Sequence, residues 1–246
     1  MRRLAAALAL ALLTAAPALA ARKTVKFSTP DGCRIEAFYL APSSGAYVFI
    51  NTHGLGSDRN EWGPLEKKLA ADGLGYLSLD LRGHGGSTVC GGKTMHYTSL
   101  DEDGWRGASA DIEAAAAWLV KKGVKPEKLV FCGASVGANL SLKAASEGKI
   151  KPAAVVLLSP GLNYAGVKTP EYFLAAHPFR VLTVAAREDG YAWQSTDALN
   201  RAAMAKGLPA YALEGSGGHG VNMFKNPSVI PAIIGWVVQP PPEEKK

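Results

Sequence analysis

The residues with the clearest chemical potential are Gly133-Ala134-Ser135-Val136-Gly137, which follow the apolar run LVFCG and precede the helical pattern ANLSLKAAS. A strand, a serine between small residues and a helix, in that order, predict a sharp turn centred on the serine. Small neighbours let such a turn close without a clash. The hydroxyl then stands above the sheet at a helix N-terminus, whose dipole favours negative charge developing nearby. The same five residues could form a plain N-capped helix start, but the correct flank on both sides favours a nucleophile.

A serine hydroxyl is a weak nucleophile at neutral pH and needs a base and a group that orients the base. Of the five histidines, His219 lies in the loop GSGGHGVNMF, where a base could swing over the strand ends. His53 and His84 occur in HG and GHG turns and are explained by turn hydrogen bonding, while His96 and His177 have no motif around them. The acid should fall between serine and histidine in the chain, which selects Asp189 in the loop REDGY, with Glu188 as the neighbouring competitor. Asp80, in LDLRGHG, is expected to order that turn with Arg82. An oxyanion needs at least two aimed donors, each worth roughly 3 kcal/mol or more. The main-chain N–H groups of Val136 and, in the turn His53-Gly54-Leu55-Gly56, of Leu55 are the candidates. This chemistry needs no metal and no cofactor.

The elements that must position these groups are legible as an alternation. Residues 24–40 read as a hairpin around Pro30-Asp31-Gly32. Short apolar runs at 47–51, 74–81, 129–133, 153–159, 181–186 and 211–213 then alternate with helical patterns at 62–71, 108–122, 135–146, 192–206 and 229–238. The first four runs are apolar at nearly every position, as in strands covered on both faces. In the second helix Ile112, Ala116 and Leu119 form the inward stripe. The pattern predicts a three-layer α/β fold with a mostly parallel sheet, whose ligands bind at the C-terminal strand ends.

Arg2 and Arg3 precede an unbroken apolar run, and Ala18 and Ala20 precede Ala21, so residues 1–20 read as a cleaved signal peptide and the protein as exported, periplasmic or secreted. The run is too short for a membrane anchor. Residues 21–239 read as one domain and 240–246 as a disordered tail. The formal charge of +6 falls to +4 without Arg2 and Arg3, and the basic residues are scattered, which argues against nucleic acid as a partner. Of three cysteines, Cys132 lies in an apolar run, while Cys33 and Cys90 lie in loop-like sequence and are the pair available for a bridge.

Taken together, THGLGS, DLRGHGGS, GASVG, REDGY and GGHG, in that order from about residue 47 to residue 238, resemble the α/β-hydrolase superfamily. The resemblance implies an eight-stranded, mostly parallel sheet with helices on both faces. It is nearest to the compact esterase and dienelactone-hydrolase-like branch, with Ser135 where dienelactone hydrolases carry cysteine. The segment 160–179 is too short for the large helical cap of lipases, so a minimal cap is expected. Trp105, Tyr164, Tyr191, Met223 and Phe224 are candidates for an apolar acyl pocket or for core packing. The implied activity is hydrolysis of a small-molecule carboxylic ester through an acyl-enzyme on Ser135. The alternatives are a peptidase or amidase, a class that generally carries a large accessory domain, and a non-catalytic binding protein of the same fold.

Overall fold

The computed structural model describes residues 21–175 and 177–239; the signal-peptide and tail expectations lie outside them. Eight principal strands are seen: β1 (Lys23–Ser28), β2 (Cys33–Leu40), β3 (Val48–Thr52), β4 (Gly75–Leu79), β5 (Leu129–Ala134), β6 (Ala154–Leu158), β7 (Arg180–Ala186) and β8 (Tyr211–Gly215). Their order across the sheet is β1-β2-β4-β3-β5-β6-β7-β8, antiparallel at β1-β2-β4 and parallel from β4 to β8. β5 is central, and the chain reverses its direction of travel across the sheet around it. That is where an open α/β sheet forms its ligand crevice.

Five longer helices cover the sheet: α1 (Gly63–Ala71), α2 (Ser109–Lys121), α3 (Val136–Glu147), α4 (Gly190–Ala205) and α5 (Val229–Val238). Residues of β5 alternate between the two cores. Leu129 and Phe131 pack with Ile112, Leu119, Leu140 and Leu199 of α2, α3 and α4, and Val130 and Cys132 pack with Leu65, Leu69, Ile233 and Val237 of α1 and α5. The expected stripe Ile112, Ala116 and Leu119 is fully buried.

The shorter elements went unread in the sequence. Val89–Cys90 and Lys93–Thr94 form a small hairpin that continues the sheet beside β2, where Cys33 pairs with Cys90 in register and the two are joined as a disulfide. Within 160–179, Asn163–Tyr164 and Val167–Lys168 form a second hairpin, followed by one helical turn, Pro170–Phe173. This is the small cap expected from the segment's length. No helix among the described residues is long and apolar enough to cross a membrane.

Candidate active site

Ser135 N–H continues the sheet ladder by donating to Leu158 O (2.9 Å), and the next residue starts α3. To turn that abruptly Ser135 adopts φ 56°, ψ −124°, a region non-glycine residues enter at a cost of about 1–3 kcal/mol. The surroundings enforce it. A Cβ on Gly133 would fall 2.1 Å from Gly137 O, and one on Gly137 would fall 2.3 Å from Thr52 O and 2.4 Å from His53 O. The two glycines therefore let strand, turn and helix pack at backbone contact.

Asp189 ends the turn after β7 and is the N-cap residue of α4. An aspartate there normally caps the helix through its side chain. This one does not: its Oδ2 accepts instead from His219 Nδ1 at 2.7 Å. A carboxylate only accepts, so the bond fixes the Nδ1–H tautomer and leaves Nε2 free to take a proton. Glu188 does other work, accepting from Gly217 N–H at 2.5 Å, which ties down the loop that carries His219. Gly220 N–H donates to Ser159 Oγ at 2.8 Å, and a Cβ on Gly220 would stand 3.4 Å from Ala134 Cβ, so this loop lies across the end of β5. The Ser135 hydroxyl has no hydrogen bond to His219 among the described residues.

The turn after β3 comes close to the same serine, since a Cβ on Gly54 would lie 3.4 Å from Ser135 Cβ. Its donors can be counted. Gly54 N–H is taken by Glu61 Oε1 (3.2 Å), Gly56 N–H by His84 Nε2 (3.3 Å) and Ser57 N–H by Gly54 O (3.2 Å). Among the described residues the N–H groups of Leu55 and Val136 have no acceptor. Val136 is buried and Leu55 exposed, and these two donors beside a strained serine are available to a ligand oxygen.

His53 and His84 hold this turn. Leu81 N–H donates to His53 Nε2 (3.0 Å), so His53 Nδ1–H donates to Gly54 O (2.7 Å). Burial lowers the His53 pKa to about 3 and also lowers that of His84, keeping both rings neutral for these bonds. Asp80 orders the turn after β4, but not with Arg82. Its Oδ2 accepts from Gly86 N–H (2.7 Å), Oδ1 accepts from Arg59 N–H (2.8 Å), and its ion pair is with the Arg59 guanidinium. Arg82 points away to Asp111 (2.7 Å) and Asp31 (2.6 Å). Proximity in sequence suggested the wrong arginine, because the chain leaves β4 at Leu79 and turns at Arg82, whose guanidinium is taken by the fully buried Asp111.

The five pocket candidates separate. Tyr164, on the cap hairpin, stands edge-on to His219 with ring centroids 6.2 Å apart and touches Tyr191 at 5.5 Å. Tyr191 Oη accepts from Asn163 N–H and donates to Asn163 O, both at 3.1 Å. The other three belong to the core. Trp105 packs at 5.8 Å from His84, Phe224 packs at 6.0 Å from Trp62, and Met223 is fully buried with Sδ against Gly215. Of the five, Tyr164 is the one whose ring is seen against His219, with Tyr191 packed on Tyr164.

Two residues near this cluster were not found in the sequence. Asn139, fully buried one turn into α3, donates to Gly161 O (3.0 Å) and Val167 O (2.7 Å) and accepts from Gly161 N–H (3.2 Å), so it hooks the cap to the serine helix. Its signal was a polar residue on an otherwise apolar helix face. Glu61 also accepts from Ser57 Oγ (2.5 Å), and burial raises its pKa.

The family model described as serine aminopeptidase, S33 (Hydrolase_4) matches residues 43–206, well over half of the chain. A curated relative, carboxylesterase/phospholipase LipF of Mycobacterium tuberculosis, is 32% identical over 118 residues, 39% of this chain and 31% of that protein, so the chain spans about a third of its length. Acyl-protein thioesterase 1 of Saccharomyces cerevisiae is 26% identical over 57% of this chain and 72% of its own. Among solved structures, an esterase of Pyrococcus furiosus superposes with a TM-score of 0.70 at 18% identity, covering 89% of this chain and 91% of that one. Dienelactone hydrolase of Anabaena variabilis gives 0.63 at 18% identity over 88% and 94%. Both likenesses bear on the fold. With this sheet order, the turn at Ser135 and the match across residues 43–206, the chain belongs to the serine aminopeptidase S33 family of α/β-hydrolases.

Proposed function

We propose that this protein is an exported serine hydrolase that cleaves carboxylic esters through an acyl-enzyme on Ser135. The observation that carries the reading is the strained serine flanked on one side by the Asp189–His219 pair and on the other by two unpaired main-chain donors. His219 Nε2 takes the hydroxyl proton as Ser135 Oγ attacks the carbonyl carbon, and Asp189 stabilises the imidazolium that forms. The carbonyl oxygen, now negative, is held by Leu55 and Val136 N–H. His219 then gives the proton to the departing alcohol, and water reverses the sequence to release the acid.

Support for an apolar acyl or alcohol group comes from three exposed side chains, Leu55 on the turn after β3, Leu162 after β6 and Tyr191 in the first turn of α4. The carboxylesterase and thioesterase relatives point to the same bond class. The Cys33–Cys90 disulfide fits an oxidising compartment and so supports export. Turnover of p-nitrophenyl esters of increasing chain length, with a burst of p-nitrophenol, tests the reading; no turnover across the series would sink it.

The family's description favours a second reading, an aminopeptidase or amidase. An acylaminoacyl peptidase of Pyrococcus horikoshii shares the fold, with a TM-score of 0.71 at 13% identity over 94% of this chain and 44% of that one. An aminoacyl p-nitroanilide cleaved faster than the matched ester would decide for it.

A further inference from the structure

We infer that Glu61 is a positioning residue for the oxyanion loop, setting the aim of Leu55 N–H by clamping both ends of residues 54–57; this rests on the nucleophile reading of Ser135. One carboxylate oxygen accepts from Gly54 N–H at 3.2 Å and the other from Ser57 Oγ at 2.5 Å. Between those two points the chain has only Leu55 and Gly56, and Gly56 bends it with φ 74°. Gly54 is itself pressed toward Ser135. A shift at Gly54 therefore moves the Leu55 N–H relative to the carbonyl that Ser135 attacks.

The clamp stands on a rigid base. Glu61 belongs to the 3₁₀ turn Arg59–Trp62, which Asp58 caps by accepting from Asn60 N–H at 2.8 Å. At one end Arg59 is fixed by its N–H to Asp80 Oδ1 and by its guanidinium to Asp80 and Glu36 (2.6 Å). At the other end the fully buried Trp62 packs against Phe224. The loop is thus held from the Glu61 side and, at Gly56, from the His84 side, leaving the Leu55 donor suspended between two anchors. Donors prealigned in this way need no reorganisation when charge develops.

The role is one of hydrogen bonding rather than charge, which makes glutamine a fair substitute. Gln Oε1 can accept from Gly54 N–H while its amide donates to Ser57 Oγ. The test compares Glu61→Ala, Glu61→Gln and Ser57→Ala by kcat and KM on p-nitrophenyl acetate, the rate constant for Ser135 phosphonylation by a fluorophosphonate, and thermal unfolding. Glu61→Ala should lower kcat and the phosphonylation rate by about 10- to 100-fold, with KM changed by less than about threefold. Glu61→Gln should return both rates to within about threefold of the parent, and Ser57→Ala should lower them by about threefold to tenfold.

Parent rates in both Glu61→Ala and Ser57→Ala would overturn the inference, as would a Glu61→Gln variant as slow as Glu61→Ala, which would assign the effect to charge near His219. If Glu61→Ala does not fold, Ser57→Ala at the parent rate overturns it alone. A parent protein that neither turns over ester nor labels at Ser135 overturns instead the nucleophile reading beneath it.

Discussion

Asp189 forgoes the capping bond that its position offers and gives its carboxylate to His219, while Glu188 one residue earlier holds the glycine-rich loop. The two acids can therefore be separated by substitution. Asp189→Asn should lower kcat by about 10³- to 10⁴-fold, because an amide no longer imposes the Nδ1–H tautomer, and Glu188→Gln should cost less than about tenfold. Steady-state kinetics on one ester checks both. His53 makes a prediction about pH. Its folded pKa of about 3 lies below the ordinary 6.5, so between those values the unfolded chain binds a proton that the folded one does not. Stability from this group is full above pH 6.5 and falls with pH, by roughly 2 kcal/mol from pH 7 to pH 5. Urea melts at the two pH values should show a loss of stability roughly 2 kcal/mol larger in the parent than in His53→Gln, which keeps the smaller loss due to His84. At this scale the sequence disclosed the residues carrying motifs, Ser135, Asp189 and His219, but not Glu61 or Asn139. Asn139 bonds only main-chain atoms and Glu61 bonds one main-chain N–H and the Ser57 hydroxyl, contacts that leave little mark on residue type.

At the scale of elements, the long strands and helices were readable because each repeats its period over several residues, as the stripe Ile112, Ala116 and Leu119 does. The hairpin at Asn163–Lys168 and the turn at Pro170–Phe173 were not, because two-residue strands have no period to detect. Yet the cap hairpin brings Tyr164 to His219, and Asn139 holds it to the serine helix. Asn139→Ala would leave the main-chain groups of Gly161 and Val167 without this partner in a buried site. It should destabilise the fold by about 2–4 kcal/mol, read by denaturant unfolding. It should also raise KM more than it lowers kcat, since the cap shapes binding while the Asp189–His219 pair stays in place. An unchanged midpoint would mean that the hairpin is held elsewhere.

For the molecule as a whole, the Cys33–Cys90 bridge closes a span of 57 residues between the opening hairpin and the turn after β4, which includes His84, the partner of Gly56 N–H. Chain-entropy reasoning gives it about 4 kcal/mol. A reductant should therefore lower the melting temperature of the parent and leave a Cys33→Ser/Cys90→Ser variant unmoved. The buried Cys132 should remain unreactive until the chain unfolds. The mostly parallel sheet and the family follow from motifs spread along the chain, whereas the bridge depends on β2 meeting Val89–Cys90, a pairing that only the folded sheet specifies. The proposed function stands on Ser135 as the nucleophile. Labelling the folded protein with a fluorophosphonate and mapping the modified peptide by mass spectrometry addresses it whatever the natural substrate is. One adduct is expected, on Ser135, absent from Ser135→Ala, together with loss of ester turnover in step with labelling. An adduct elsewhere, or undiminished turnover in Ser135→Ala, would contradict it.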